Sequence, residues 1–300
     1  MLLQPSHVVL GLGVLLASLS ASPQAECGEE PRFQGRSLTL WLNDLAYGRY
    51  PDMEKHSAAV KAVCGMGVDA IPILMNRITT TSESPTQLLR SELKRDAQML
   101  QDTQTVSAFE ALGPASHSEI PTLIGLLAPQ YDAAGESPTE PECWLKYRSS
   151  DLAGRVLEVM GAAAVNPLLK ALEEKDPRIR FGAVGVLENT YRRSQDDRIV
   201  PAILKRLRDE DTQVRWGSAR ALGSIGVLSE TCVPALAECV RNDPEGNVRS
   251  YALMALKKFG PRAKVALPAV MAATTDENSD IRSYARDAVK AIQADAPGTR

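Results

Sequence analysis

The side chains that most often do chemistry are few in this sequence, and their spacing matches no common catalytic motif. Of the three histidines, His56 and His117 lie outside the first 25 residues, and neither belongs to an HExxH run or a His-Glu pair. Ser118 stands beside His117 without the glycines of a nucleophile elbow, and no glycine-rich phosphate loop occurs. We therefore predict no catalytic residue, no metal site and no cofactor.

The cysteines are equally uninformative. Cys27, Cys64, Cys143, Cys232 and Cys239 are scattered and form no CxxC pair, which argues against a zinc site or a redox motif. Cys232 and Cys239 fall two turns apart on one predicted helix, about 10 Å along its axis, and that is too far for a disulfide. Buried or isolated thiols are the simplest interpretation, and other disulfides stay open.

An arginine follows an aliphatic residue at intervals of 35, 34 and 33 residues. The pairs are Ile179-Arg180, Val214-Arg215, Val248-Arg249 and Ile281-Arg282. A polar helix starter stands three residues before each aliphatic member (Asp176, Asp211, Glu245, Asn278), and a small residue stands three after each arginine (Ala183, Ser218, Ala252, Ala285). The arginines form either a row that binds anions or a structural ladder between repeats. We favour the ladder, made of Asp176, Arg180, Asp211, Arg215, Arg249 and Arg282, because an acid accompanies the periodic arginines.

Proline and glycine mark the remaining boundaries of each repeat. Prolines recur as Pro72, Pro121, Pro167, Pro201, Pro234 and Pro268, each with an apolar residue two places later. Proline is tolerated in the first turn of a helix, so each should begin a second helix. Gly67, Gly113, Gly161, Gly226 and Gly260 should close the first helices, while the fourth repeat has Tyr191 in that register. The pattern predicts six helix hairpins, a final helix near 279–293 and a first capping helix near 37–47.

These Asp-x-x-Val-Arg-x-x-Ala runs and proline-led second helices resemble the HEAT-repeat family, including the short repeats first noted in phycobilin lyases. The resemblance covers residues 36–294 and is strongest over 176–292, whereas the first three units are longer and lack the Val-Arg pair. It implies an all-α fold, a right-handed α-solenoid of tandem antiparallel helix hairpins. It also implies that the repeated arginine is structural. Some HEAT-like proteins are di-iron hydroxylases with His-Glu pairs, which this chain lacks.

The first 25 residues contain no Asp, Glu, Lys or Arg, and they carry an apolar run over 8–17 followed by small residues. This is typical of a secretory signal peptide cleaved between residues 20 and 25. We predict a signal peptide over 1–25, a short linker over 26–35 and the solenoid over 36–300. The mature protein should then be periplasmic or extracellular, with no membrane span after cleavage of the signal.

The bulk composition argues against a nucleic-acid partner. The formal net charge is −3, whereas binding to phosphates needs a basic surface. Aromatic residues make up only 5% of the chain, which suits helices packed through small residues. The pattern therefore favours an exported scaffold for protein–protein interaction without catalysis. The alternative is an enzyme, or an enzyme subunit, of the lyase-like type.

Partner contacts should lie on the second helices, at the position four residues after each proline. That row reads Asn76, Gly125, Ala171, Lys205, Glu238 and Ala272, with no uniform charge, so a protein segment fits it better than a small anion. The residues that we expect to contact a partner are Arg198, Lys205, Arg208, Glu238 and Arg241, with Phe181 and Trp216 as partly exposed aromatics of the first helices. The basic residues of repeat four are flanked by Asp196, Asp197, Asp209, Glu210 and Asp211, so we favour a solvated mixed-charge face for them, with a patch for an acidic partner as the alternative. For the two aromatics we favour packing against the next repeat over an exposed binding patch. The oligomeric state and the identity of the partner are left open.

Overall fold

Helices make up nearly all of the computed structural model, which describes residues 29–45, 52–81, 87–88, 91–128 and 142–294, with backbone only for 142–146. The expected signal peptide, Cys27 and Cys143 therefore lie outside the residues or side chains described. The same holds for most of residues 128–141, whose prolines Pro129, Pro138 and Pro141 predict a long exposed loop. The α-helices are α1 (Leu38–Leu45), α2 (Met53–Met66), α3 (Ile71–Thr79), α4 (Glu92–Leu112), α5 (Ile120–Gly125), α6 (Glu142–Met160), α7 (Ala162–Ala171), α8 (Pro177–Ser194), α9 (Ile199–Arg206), α10 (Thr212–Ile225), α11 (Ser229–Asn242), α12 (Gly246–Phe259), α13 (Leu267–Ala272) and α14 (Ser279–Gln293).

The helices pair into hairpins that stack along one axis. Repeats one to six are α2/α3, α4/α5, α6/α7, α8/α9, α10/α11 and α12/α13, while α1 and α14 stand at the two ends. Each first helix packs on the first helix of the next repeat, from α4 through α14. The predicted fold class, a solenoid of antiparallel helix hairpins, is confirmed.

The helix starts follow from local capping. The Asp176 side chain accepts a hydrogen bond from the Arg178 N–H, and the Asp211 side chain accepts from the N–H groups of Gln213 and Val214. Such caps satisfy backbone donors that lack an intrahelical partner. Glu245 occupies the same register but makes no side-chain cap.

The helix ends follow the glycine rule with one exception. Gly226 closes α10 with a φ of 69°, a conformation that glycine adopts without strain. In the fourth repeat α8 runs past Tyr191 to Ser194, and Gln195 takes the left-handed conformation with a φ of 50°. The register of Tyr191 therefore marks no helix end, because the polar residues after it add another helical turn.

Two of the predicted helix-starting prolines sit deeper than expected. Pro167 and Pro234 lie inside α7 and α11, since those helices begin at Ala162 and Ser229. In α7 the buried face is shifted by one residue, whereas in α11 Leu236 is buried as expected. Leu168 is fully buried, Leu169 only partly, and Ala171, which we expected to face outward, is buried.

Small residues let the first helices approach closely, as the sequence predicted. Val214, Ser218, Ala221 and Leu222 are buried on one face of α10. A side-chain carbon added at Gly223 would come within 2.6 Å of Ala255, so only glycine fits between α10 and α12 there.

A small β-hairpin precedes α1, although the sequence predicted no strand. Arg32–Phe33 pairs antiparallel with Arg36–Ser37. The Trp41 indole N–H donates to the Phe33 carbonyl at 3.2 Å, and the Arg36 guanidinium lies 4.3 Å from the Trp41 ring centroid. The hairpin packs against α2, because a side-chain carbon added at Gly65 would meet the Phe33 ring.

One described segment, Met53–Thr79, is long and apolar enough to cross a membrane by composition alone. It is the first helix hairpin, interrupted at Gly67 where φ is 56°. Its apolar residues Val63, Leu74 and Ile78 are buried in the common core. A core hairpin therefore accounts for this hydropathy.

Candidate partner-binding cleft between the second helices

The repeated arginines connect neighbouring repeats through carboxylates. Arg180 donates to both carboxylate oxygens of Asp209, at 3.0 and 2.7 Å, and both side chains are almost fully buried. Arg215 pairs with Asp243 at 2.8 Å and Arg249 with Asp276 at 3.4 Å, with greater exposure in the second pair. We call these contacts the arginine ladder.

Each ladder arginine also holds the turn before its own helix. Arg180 donates to the carbonyls of Glu174 and Lys175, and Arg282 donates in the same way to those of Asp276 and Glu277. Arg282 has no carboxylate partner among the described residues, because no further repeat follows α14 in the described chain.

The acids of the ladder differ from those expected. Asp176 and Asp211 cap their own helices, whereas the carboxylates that receive the arginines belong to Asp209, Asp243 and Asp276. Each of these acids lies six residues before the next ladder arginine, and its backbone carbonyl binds that arginine. The six-residue spacing is a sequence signal that points to these residues.

The buried pairs shift the ionisation of their members. Burial opposes the charge on Asp209, but hydrogen bonds from Arg180 and from the Asp211 N–H outweigh it and lower the pKa of Asp209. The hydrogen bond to Asp209 raises the pKa of Arg180, and the one to Asp243 raises the pKa of Arg215. These arginines are therefore committed to structure and are poorly placed to bind an external anion.

Arg148 is a structural residue that the repeat pattern missed. It lies in α6 outside the Val-Arg register, pairs with Asp102 of α4, and donates to the carbonyls of Arg77, Ile78 and Thr80 at the end of α3. Gln98 also donates to Asp102, at 3.0 Å. This buried network joins the three longer units.

The two aromatics expected on the first helices pack against each other with tilted rings. The ring centroids of Phe181 and Trp216 are 5.0 Å apart, and Trp216 stacks on Tyr251 at 4.8 Å with an interplanar angle of 21°. A side-chain carbon added at Gly217 would meet the Phe181 ring, so this aromatic packs on the next helix. Phe181 and Trp216 thus form an inter-repeat row and do not join the charged residues of the second helices.

Three of the expected contact residues meet in one cleft of about 420 Å³ between α9 and α11. We call it the 4/5 cleft. Lys205, Arg208 and Glu238 line it, together with Leu204, Leu207, Arg215, Ala235, Cys239, Asn242, Asp243 and Pro244. The prediction of an outward-facing row placed Lys205 and Glu238 on the same surface, and both are exposed.

Most charges of the 4/5 cleft already have partners. Asp243 is paired with Arg215, and Glu238 receives Arg241 at 2.9 Å and Asn242. The hydrogen bonds from Arg241 and Asn242 lower the pKa of Glu238, so its carboxylate is ionised and occupied. Lys205 and Arg208 are exposed and make no hydrogen bond or close ion pair with any described residue. The cleft therefore carries two cations without a close ion pair, of which Arg208 lies near enough to Glu238 to help lower the pKa of that carboxyl.

Arg198 lies in the neighbouring groove between α7 and α9, which we call the 3/4 groove. It donates to Asp196 at 2.9 Å and to Asn166 of the preceding repeat at 2.7 Å. The groove has a volume of about 510 Å³, and Lys205 lines both it and the 4/5 cleft. The two depressions therefore adjoin along the second helices.

The described cysteines form no disulfide and no metal-binding cluster. Burial raises the pKa of Cys239 to about 11, so this cleft residue is a neutral thiol at physiological pH. Cys64, Cys232 and Cys239 are unpaired. Within the described ranges no group of three or more His, Cys, Asp or Glu side chains is arranged to hold a metal ion.

Comparison with known proteins finds HEAT repeats in part of the chain. The family model for HEAT repeats matches residues 165–257. Crystal structures of the karyopherin Kap121p, one a mutant and one bound to the extreme C-terminus of the protein phosphatase Cdc14p, superpose with a TM-score of 0.53, at 13% identity over 85% of this chain and 29% of theirs. The chain spans less than a third of that karyopherin, and the likeness is one of fold.

An engineered protein matches 85% of this chain and 96% of its own, at 17% identity and a TM-score of 0.42. No curated protein sequence matches the chain.

Proposed function

We propose that this HEAT-repeat solenoid is an exported scaffold that binds a protein partner along its second helices and catalyses no reaction of its own. A stack of hairpins exposes one long surface made of equivalent helices, and such surfaces suit extended partners. The solved complex of Kap121p with a C-terminal segment of Cdc14p is a case of a similar fold holding a protein segment.

The 4/5 cleft is the observation that carries this proposal. It joins an apolar floor to two exposed cations without a close ion pair, Lys205 and Arg208, on helices whose positions are fixed by the ladder. Rigid elements with a few free polar groups at an apolar depression are what a binding surface requires.

The chemistry of the cleft favours binding over catalysis. Its acids, Glu238 and Asp243, are held in ion pairs, and the pKa of about 11 keeps the Cys239 thiol protonated. A nucleophile needs an activating base or a lowered pKa, and neither accompanies this thiol.

Export is supported by the uncharged, partly apolar first 25 residues. Mass spectrometry of the native protein should find a new N-terminus at residues 21–26. A native protein that starts at Met1 or Leu2 and stays in the cytosol would remove export from the proposal and leave the scaffold function to be tested separately.

The binding function is tested by affinity capture from the native envelope or medium with a charge-reversed cleft. Lys205→Glu with Arg208→Glu should reduce recovery of the specific partner at least tenfold. The matched control is Lys258→Glu with Lys264→Glu, the same charge change at two exposed lysines away from the cleft. Both variants should keep the helical spectrum and melting temperature of the wild type, because exposed changes usually alter stability by less than about 0.5 kcal/mol.

If the wild type and the cleft variant recover the partner equally well, the binding site lies outside the cleft. Turnover of a substrate by the purified protein would contradict the proposal that it is not an enzyme.

A further inference from the structure

We propose that the 4/5 cleft recognises an extended protein segment in which an aliphatic side chain is followed or preceded by acidic residues. This inference rests on the scaffold function and names the chemical class of the partner. It depends on the floor of the cleft, on the charges at its rim and on its position beside the 3/4 groove.

The floor of the cleft is apolar. Leu204, Leu207, Ala235, Cys239 and Pro244 contribute it, and Cys239 counts as an apolar group because burial raises its pKa to about 11. Water in contact with this floor is released when an aliphatic side chain enters, and that release is favourable. A purely ionic ligand would leave the floor uncovered.

The rim supplies the charge preference. Arg215 with Asp243 and Arg241 with Glu238 are closed pairs, whereas Lys205 and Arg208 are exposed cations without a close ion pair, although Arg208 also acts through space on the Glu238 carboxylate. Carboxylates beside the aliphatic residue form charge-assisted hydrogen bonds with them. A basic segment meets repulsion from both.

The adjoining 3/4 groove sets the length and polarity of the segment. Neighbouring helices lie about 8–10 Å apart, which an extended chain covers in about three residues. A segment of about six residues therefore reaches both depressions. Arg198 of the 3/4 groove already pairs with Asp196 and lies near Asp197, so acidic residues of the segment are favoured at the 4/5 end.

The test is selection of random dodecapeptides by display on the purified native protein, followed by fluorescence anisotropy with the most enriched peptide. The selected peptides should share an aliphatic residue next to Asp or Glu. Replacing those acids by Asn or Gln should weaken binding at least tenfold, and raising the salt concentration should weaken it further, as screening requires.

Two variants of the protein separate charge from shape. Lys205→Glu with Arg208→Glu removes the cations, and Ala235→Leu fills the floor of the cleft without changing its charge. Each variant should bind the peptide at least tenfold more weakly than the wild type does. The control Lys258→Glu with Lys264→Glu should bind as the wild type does. Circular dichroism of each variant ensures that loss of binding is not loss of fold.

A basic or proline-rich consensus, an acidic consensus that still binds both cleft variants, or no enrichment over the unselected library overturns the inference. Those outcomes leave the scaffold function intact if capture of the native partner still depends on Lys205 and Arg208. If capture is also independent of the cleft, the proposed binding surface fails with it.

Discussion

Replacing Arg180 by glutamine should destabilise its part of the solenoid far more than the same change at Arg282. Each arginine loses two hydrogen bonds to the carbonyls of its own turn. Arg180→Gln additionally leaves the Asp209 carboxylate, only 4% exposed, without its main cation. The difference between the two variants therefore isolates the contribution of the buried ion pair.

The magnitude follows from burial. Removing one partner of a buried ion pair costs about 3–5 kcal/mol, so we expect about 3 kcal/mol for Arg180→Gln. Loss of the carbonyl hydrogen bonds alone should cost about 1 kcal/mol at Arg282. Arg215→Gln and Arg249→Gln should fall between them in that order, because the side chains in the Arg249–Asp276 pair are 21% and 19% exposed, against 12% and 7% in the Arg215–Asp243 pair.

Hydrogen exchange followed by mass spectrometry is the suitable assay, since repeats can open locally and exchange reports the opening free energy of each helix. Amides of α8 and α9 should exchange faster in Arg180→Gln. Equal effects at all four arginines, or the largest effect at Arg282, would refute the assignment of the ladder.

The pH dependence provides an internal control. The pKa of Asp209 is lower in the folded state than its unfolded-state value of about 3.9. The Arg180–Asp209 pair therefore stabilises the fold at pH values above about 3.9, and this stabilisation is lost as the pH falls through the folded-state pKa. The loss of stability caused by Arg180→Gln should therefore decrease toward that caused by Arg282→Gln as the pH falls below about 4. A constant difference down to pH 2 would contradict the role of Asp209.

Two further predictions follow from the helix ends and the thiols. Gly226→Ala should lower stability by about 1 kcal/mol, because a side chain is disfavoured at a φ of 69°. Gln195→Gly should leave stability unchanged or raise it, because Gln195 already has a φ of 50°. Thermal denaturation measures both changes. Cys232 and Cys239 should resist a maleimide at pH 8 until the protein is unfolded, because both are buried and their pKa values are raised, whereas the exposed Cys64 should react in the native state. Peptide mapping measures the labelling of all three thiols. Rapid labelling of Cys239 in the native protein would contradict its place in the floor of the cleft.

The sequence determined the repeat because helix signals act over a single turn. Capping residues such as Asp211, closing glycines such as Gly226 and the apolar spacing on α10 are read by backbone groups a few residues away. For the same reason the sequence placed Lys205 and Glu238 on one exposed surface. The shift at Pro167 and the helix end at Gln195 were missed, because the proline and glycine signals do not show that α7 begins at Ala162 or that the polar residues after Tyr191 extend α8 to Ser194.

The tertiary structure alone decided which side chains meet across repeats. Arg180 finds its carboxylate 29 residues ahead and Arg148 finds one 46 residues back, distances over which helical periodicity fixes nothing. These pairings leave Lys205 and Arg208 as the cations of the 4/5 cleft without a close ion pair, and the packing of Phe181 against Trp216 removes both rings from it. The local pattern specifies the hairpin, whereas the way hairpins stack specifies the surface, because helix packing brings together groups that the chain itself keeps a full repeat apart.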